Sequence, residues 1–225
     1  VVRPVEVVAR RCIILSVVLQ RIGLGSSATV AHGDDPAATA YDIREWLRSE
    51  DIWRDLTPLE LDLLSGPYRS IDLDEFQAFG MPSESFAALS WSLGLTDRLS
   101  DGPSTPIEQV IPAIPMPWDK TANWIAEQTL RPDHIIALRR EQAEIWEWRL
   151  AMEPYRRLLE GSELMDLEKT IRDVLHDGTA QGILAPGRKG GFAIGGRPLA
   201  IVDPLELEEL HLLAQERLIA LNWVC

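Results

Sequence analysis

Two glutamates and two arginines of this chain stand on apolar, tryptophan-bearing stretches where charge has to be explained. Glu84 opens ESFAALSWSLGL, Arg149 interrupts IWEWRLA, and Glu216 with Arg217 sits inside QERLIALNWVC. A carboxylate against an aromatic wall has a raised pKa and can give or take a proton. An arginine beside it can grip an anionic group. Glu84 and Glu216 are therefore the candidate acid/base groups. Arg149 and Arg217, with Trp91, Trp148, Trp223 and Asn222, are the candidate binding residues. The plainer reading is structural: Glu84 or Glu216 forms a salt bridge to Arg149 or Arg217 and locks helix packing. Trp46 and Trp53 lie in similar stretches, so rings that fill helix junctions compete with a shared tryptophan groove whose polar end is Arg149, Glu216 and Arg217.

The closing helix sharpens this choice. At about 100° per residue, Leu207, Leu210, Ala214, Leu218 and Leu221 form one apolar stripe. Leu212, Ile219 and Trp223 form a second, and Leu213, Ala220 and Val224 a third. Glu208, His211, Gln215 and Asn222 make the one continuous polar stripe, so this helix is expected to be central and surrounded on most sides. Arg217 falls in an apolar sector. A charge there must be paired, snorkel to water or serve a site. It is expected to meet a carboxylate from another helix; a ligand contact and a dimer contact are the alternatives.

Other chemistry is sparse. There is no H-E-x-x-H, G-x-S-x-G or P-loop pattern. His32, His134, His176 and His211 are scattered among polar neighbours and read as surface residues. Gly187-Arg188-Lys189-Gly190-Gly191 has the composition of an anion-cradling loop but not the strand-to-helix setting of one, and reads as a hairpin tip. Two cysteines, Cys12 and Cys225, make no disulfide framework and no zinc spacing. No metal or cofactor is expected, and a reduced cytoplasmic setting fits best. A formal net charge of −13 argues against nucleic acid as a partner.

The elements that must position these residues are helical. With 225 residues, 46% of them hydrophobic and 25% charged, the chain suits one compact domain, residues 1–225, mostly α with a minor β part. The first 25 residues are apolar but punctuated by Arg10, Arg11 and Arg21, so they read as a buried helix and not a signal peptide or membrane span. Asp35-Pro36 reads as a helix start, Thr57-Pro58-Leu59-Glu60 as a capping box, and Asp203-Pro204-Leu205-Glu206 as the same device. Ser83 is expected to cap the helix carrying Phe86, Leu89, Ser90 and Leu93, and Gly94-Leu95 to end it. Five prolines across 101–118 exclude regular helix and predict an extended strap over the helices, not a domain boundary. Helices are expected from Trp118 to Leu130, from Asp133 to Met152 with Ile135, Leu138, Ile145, Trp148 and Met152 inward, Trp146 and Leu150 extending that face and a break or kink at Pro154 or its neighbour, and from Asp166 to His176. Glycine-rich residues 183–202 predict a small β-hairpin before the last helix.

These stretches carry a resemblance. ERLIALNW after GGFAIGGRPL, together with WLRSEDIWRDLTPLE, ESFAALSWSLGL and IWEWRLA in that order, is similar to the mostly bacterial family catalogued as domain of unknown function 4272. That family tends to place an arginine before His-Trp-Ala in its middle motif; here Leu150-Ala151 follows Arg149. The resemblance implies a mostly helical fold with a small β element and no particular activity. Two readings of function remain. One is a non-catalytic cytoplasmic module that binds a protein or small molecule and could pair as a homodimer. The other is a small-molecule enzyme using a Glu/Arg pair in a tryptophan-lined pocket.

Overall fold

A computed structural model describes residues 2–25, 36–66, 82–100, 104–184, 192–194 and 196–225. Asp35, His32 and the 187–191 loop lie outside the described residues, as does the first part of the proline-rich strap. Eight α-helices are described: α1 Val5–Gly25, α2 Pro36–Ser49, α3 Pro58–Ser65, α4 Pro82–Ser92, α5 Thr121–Glu127, α6 Asp133–Leu158, α7 Gly161–Ala180 and α8 Pro204–Val224. Strands β1 Ala193–Ile194 and β2 Arg197–Pro198 pair antiparallel, Ala193 opposite Pro198 and Ile194 opposite Arg197. The fold is thus mostly α with one small hairpin before the last helix. The chain gathers into two compact units: Val1–Leu99, Thr105–Arg131 and Val224 in the first, Ser100–Ser104, Pro132–Trp223 and Cys225 in the second. The units interleave along the sequence, and the strap itself is divided between them at Ser104.

In the first unit α1 packs chiefly on α4, with α3 and α5 beside it. Val8, Cys12, Ile13 and Leu15 of α1 meet a core that includes Phe86, Ala87 and Leu89 of α4, all buried. No described helix is long and apolar enough to cross a membrane. The arginines that interrupt α1 explain why: Arg10 Nε donates to Asp55 (2.5 Å) and Arg11 Nη1 to Glu60 (2.8 Å). Ile43, Trp46 and Leu47 of α2 are buried as their spacing predicts, and Trp46 Nε1 donates to the carbonyl of Asp119 (2.8 Å).

The caps govern where these helices begin and end. Thr57 and Glu60 form the reciprocal capping box, and Glu60 also holds Arg11. Gly94 takes φ +74°, which lets Leu95 N–H reach the carbonyl of Ser90 (2.9 Å) and Gly94 N–H that of Trp91 (3.0 Å), a Schellman closure of α4. Arg131 reinforces that end, donating to the carbonyls of Trp91 and Thr96 with its guanidinium 5.1 Å from the Trp91 ring. Ser83 is not a cap: α4 already begins at Pro82, because proline suits a first helical position. The helix expected over Trp118–Leu130 shrinks to seven residues, Thr121–Glu127. Trp118 adopts φ +78° there, which no helix admits.

In the second unit α7 and a 3₁₀ turn at Leu199–Ile201 pack on α6. Asp203 caps α8 by accepting from Leu205 N–H (2.9 Å), but the glutamate half of the expected box is missing, because Glu206 is drawn to Arg197 instead. The expected wrapping of α8 is also incomplete. Leu207, Leu210, Leu213 and Leu221 are buried, whereas Leu205, Leu212 and Ile219, seven residues apart, are 77%, 46% and 52% exposed. α7 is longer than the Asp166–His176 expected, running from Gly161 to Ala180.

Two outcomes check this packing. Thr57→Ala is expected to cost about 0.5–2 kcal/mol of stability by loss of the cap, measured by denaturant unfolding; an unchanged midpoint would remove the box from the account. Cys12 is fully buried, and burial pushes its thiol up to about 12 against the lowering hydrogen bond from Ser90. A thiol reagent should therefore label half-buried Cys225 in the native protein and reach Cys12 on unfolding. Equal rates at both cysteines would contradict the packing of α1.

Candidate functional site

The longest helix, α6, was expected over Asp133–Met152 with a break or a kink at Pro154 or its neighbour; it runs through the proline to Leu158. Proline removes one backbone hydrogen bond and crowds the preceding turn. Side chains spaced i, i+3 and i+4 bridge the damaged turn. Glu153 Oε2 accepts from Arg149 Nη2 (2.6 Å) and Arg156 Nε (2.9 Å), and Oε1 from Arg156 Nη2 (3.0 Å) and Arg157 Nε (3.2 Å). Arg157 also donates to the carbonyls of Leu199 (2.9 Å) and Val202 (2.7 Å), fastening the 3₁₀ turn to the helix.

Glu153 is fully buried. Burial alone would raise its pKa, but the hydrogen bonds from Arg156, Arg149 and Arg157 outweigh it and bring the carboxyl down to about 2. Glu153 is therefore an anion at any ordinary pH and a poor proton acceptor.

Arg149 is the unusual member of the cluster. It is 6% exposed, and one of its nitrogens holds Glu153. Its Nε and Nη1, both shielded from water, have no hydrogen-bond partner among the described residues. The ring of Phe192 lies over it at 5.9 Å and is held edge-on by Trp146, 4.8 Å away. Arg149 lines a pocket of about 510 Å³ with Arg156, Arg172 and Glu168 as the other charged groups and Ile171, Leu175, Phe192 and Leu199 among the apolar ones. Arg156 approaches Glu168 at 3.6 Å, and Arg172 stands exposed on α7. A second hollow of about 440 Å³, lined by Leu150, Pro154, Leu158 and Leu207 among others, is more apolar and includes no unpartnered buried charge among the described residues.

The other candidates from the sequence go elsewhere. Glu84 is fully buried in the first unit, where it accepts from Thr105 N–H (2.9 Å). Trp46, Trp53 and Trp91 belong to the first unit and Trp148 and Trp223 to the second, and no tryptophan lines the Arg149 pocket. Asn222 is exposed and accepts from Arg140 (3.3 Å). Arg217 is 3% exposed, Glu216 is half-buried, and neither is without a partner. In place of the expected salt bridge to Glu84 or Glu216, Arg149 pairs with Glu153 on its own helix. His211 Nε2 meets Glu147 (3.0 Å), and no group of three or more possible metal ligands occurs among the described residues.

Sequence reasoning missed Glu153, Arg156, Glu168, Arg172 and Phe192. The missed signal was the spacing Arg149, Glu153, Arg156, Arg157, which gathers three cations around one carboxylate on a single helical face. Replacing Glu153 leaves a buried guanidinium uncompensated, so Glu153→Gln should cost about 3–5 kcal/mol at neutral pH. The pH dependence has a definite sign. The folded pKa lies below the ordinary 4.5, so this stabilisation is present above pH 4.5 and is lost as pH falls through about 2. Denaturant unfolding of both proteins from pH 7 to 2 should show the gap between them closing toward acid; a constant gap would mean Glu153 is not the buried anion described.

Comparison with known proteins follows the helical part of the chain. No curated protein and no solved structure matches it. The model of the family described as Domain of unknown function (DUF4272) matches residues 1–165, taking in α1 to α6 with the whole Arg149–Glu153–Arg157 cluster, but not the hairpin, the 3₁₀ wall or α8. That match covers well over half of the chain, which therefore belongs to the DUF4272 family.

Proposed function

We propose that this chain is a non-catalytic binding protein whose ligand is a small molecule with an anionic group, held in the Arg149 pocket. The observation that carries this reading is the guanidinium of Arg149, buried at the pocket wall with Nε and Nη1 unpartnered among the described residues. An unsatisfied buried donor costs free energy, more when it is charged. An anion arriving at the pocket would regain it through charge-assisted hydrogen bonds.

The composition of the pocket supports binding over catalysis. No serine, cysteine or histidine is among its described lining residues. Glu153 behind the wall is held ionised and is not poised as an acid near neutrality. The local charge is positive in a chain whose formal net charge is −13. Two free thiols favour the cytoplasm as the place where it works.

A thermal-shift panel of small organic anions and their neutral analogues tests the proposal on wild type and Arg149→Lys. Lysine keeps the charge near Glu153 but cannot present the planar fork. An anion at about 100 times its Kd should raise wild-type stability by about 2.7 kcal/mol, should stabilise the variant far less, and should be recovered chemically unchanged. Equal shifts in both proteins, or conversion of the ligand, would overturn it.

A further inference from the structure

We infer that the outward face of α8 is a docking surface for a basic amphipathic helix of a partner protein, independently of the anion-binding reading. Leu205, Leu212 and Ile219 stand exposed at seven-residue spacing, which keeps them in one seam about 21 Å long. At about 100° per residue, Glu208 falls on one side of this seam and Glu209 on the other, and both are exposed. Neither glutamate forms an ion pair among the described residues. The basic groups near the two ends of the helix are already taken, Arg197 by Glu206, and Arg140, beside Asn222, by Glu144. An exposed apolar surface rimmed by polar groups marks an interaction site.

Charge selects the occupant. A helix whose apolar seam is flanked by lysine or arginine sets opposite charges against Glu208 and Glu209, the arrangement that fixes partner choice between packed helices. A second copy of this chain brings the same two glutamates against them, on a molecule of formal net charge −13. An anionic lipid surface is repelled in the same way. Glu208 also lines the hollow of about 440 Å³, with Leu150 and Leu158 of α6 and Leu207 of α8. That hollow suits an apolar anchor from a helix laid along α8. The basic groups at its rim are held, Arg157 by Glu153 and His211 by Glu147, so Glu208 is the rim charge left to meet a cation.

Fluorescence anisotropy of the full chain with synthetic helices about four turns long is the test. One probe carries leucines in a heptad seam flanked by lysines, a second has glutamates in place of the lysines, and a third is the first with its sequence scrambled. The lysine-flanked helix should bind wild type at least about tenfold more tightly than the other two, and more weakly as salt is raised. Leu212→Ser should weaken it about tenfold or more. Glu208→Lys combined with Glu209→Lys should transfer the preference to the glutamate-flanked helix. All three positions are exposed, so the circular dichroism spectrum and unfolding midpoint of each variant should match wild type. A scrambled helix that binds as tightly, binding indifferent to Leu212→Ser, or no binding by any probe would overturn the docking surface and leave the anion-binding reading untouched. So would a wild-type dimer in sedimentation that Leu212→Ser makes monomeric, or adhesion to phosphatidylserine vesicles that Leu212→Ser abolishes, because the seam then has a different occupant.

Discussion

A carboxylate with no access to water, Glu153, is the constraint on which the second unit depends. An ion taken out of water costs several kcal/mol unless its surroundings replace the lost hydration. Glu153 gets that replacement from three guanidiniums on its own helix, and each has a structural consequence. Arg156 and Arg157 lie beyond Pro154, so the helix has to continue through a residue that favours ending it. Arg157 reaches past Glu153 to the carbonyls of Leu199 and Val202, which holds the 3₁₀ turn against α6. Arg149 contributes one nitrogen to the carboxylate, while its Nε and Nη1 stay shielded from water with no partner among the described residues. One buried charge thus links helix continuity, the placement of the wall and the unmet donors of the site.

The first unit is organised chiefly by apolar packing. Its centre is a close-packed apolar core between α1 and α4, where even the cysteine and Ser90 face one another 3.4 Å apart inside it. Some of its charges pair nearer the surface, as Arg10 does with Asp55, and others are buried, Glu60 held by Arg11 and Glu84 by the N–H of Thr105. Its tryptophans work as core and junction residues: Trp46 is buried with its N–H satisfied, and Trp91 packs under Arg131. Much of the polar satisfaction there is local, by caps and by carbonyls at helix ends.

That difference explains which features could be read from residue order. Thr57, Gly94 and Asp203 act at helix ends through contacts within a few residues, so their roles follow from local sequence. The buried face of α2 follows the same way, since its core positions are apolar. Hydrophobic periodicity reached Leu150 but not the rest of the buried face of α6, because that face includes the charged Arg149 and Glu153 beside Ile136. The stripe that periodicity selected is half-buried at Trp148 and exposed at Leu138. α8 misled in the converse sense. Its Leu205, Leu212 and Ile219 are apolar yet exposed, and burial of an apolar side chain depends on neighbours that a helical wheel cannot supply. Arg149 was singled out as a charge among tryptophans; its partner Glu153 lies four residues on along the same helix, but its pocket depends on α7, Phe192 and the 3₁₀ turn, more than ten residues away in sequence.

The central claim is that Arg149 holds donor capacity in reserve for an anion. Arginine Nε–Hε correlation spectra of the full chain read that atom directly, with the Arg149 signal identified by its loss in Arg149→Lys. As a small organic anion that raises the thermal midpoint is added, the Arg149 signal should shift and saturate, while those of Arg10 and Arg131, already bonded within the first unit, stay in place. An Arg149 signal that does not move while that anion binds would contradict the account.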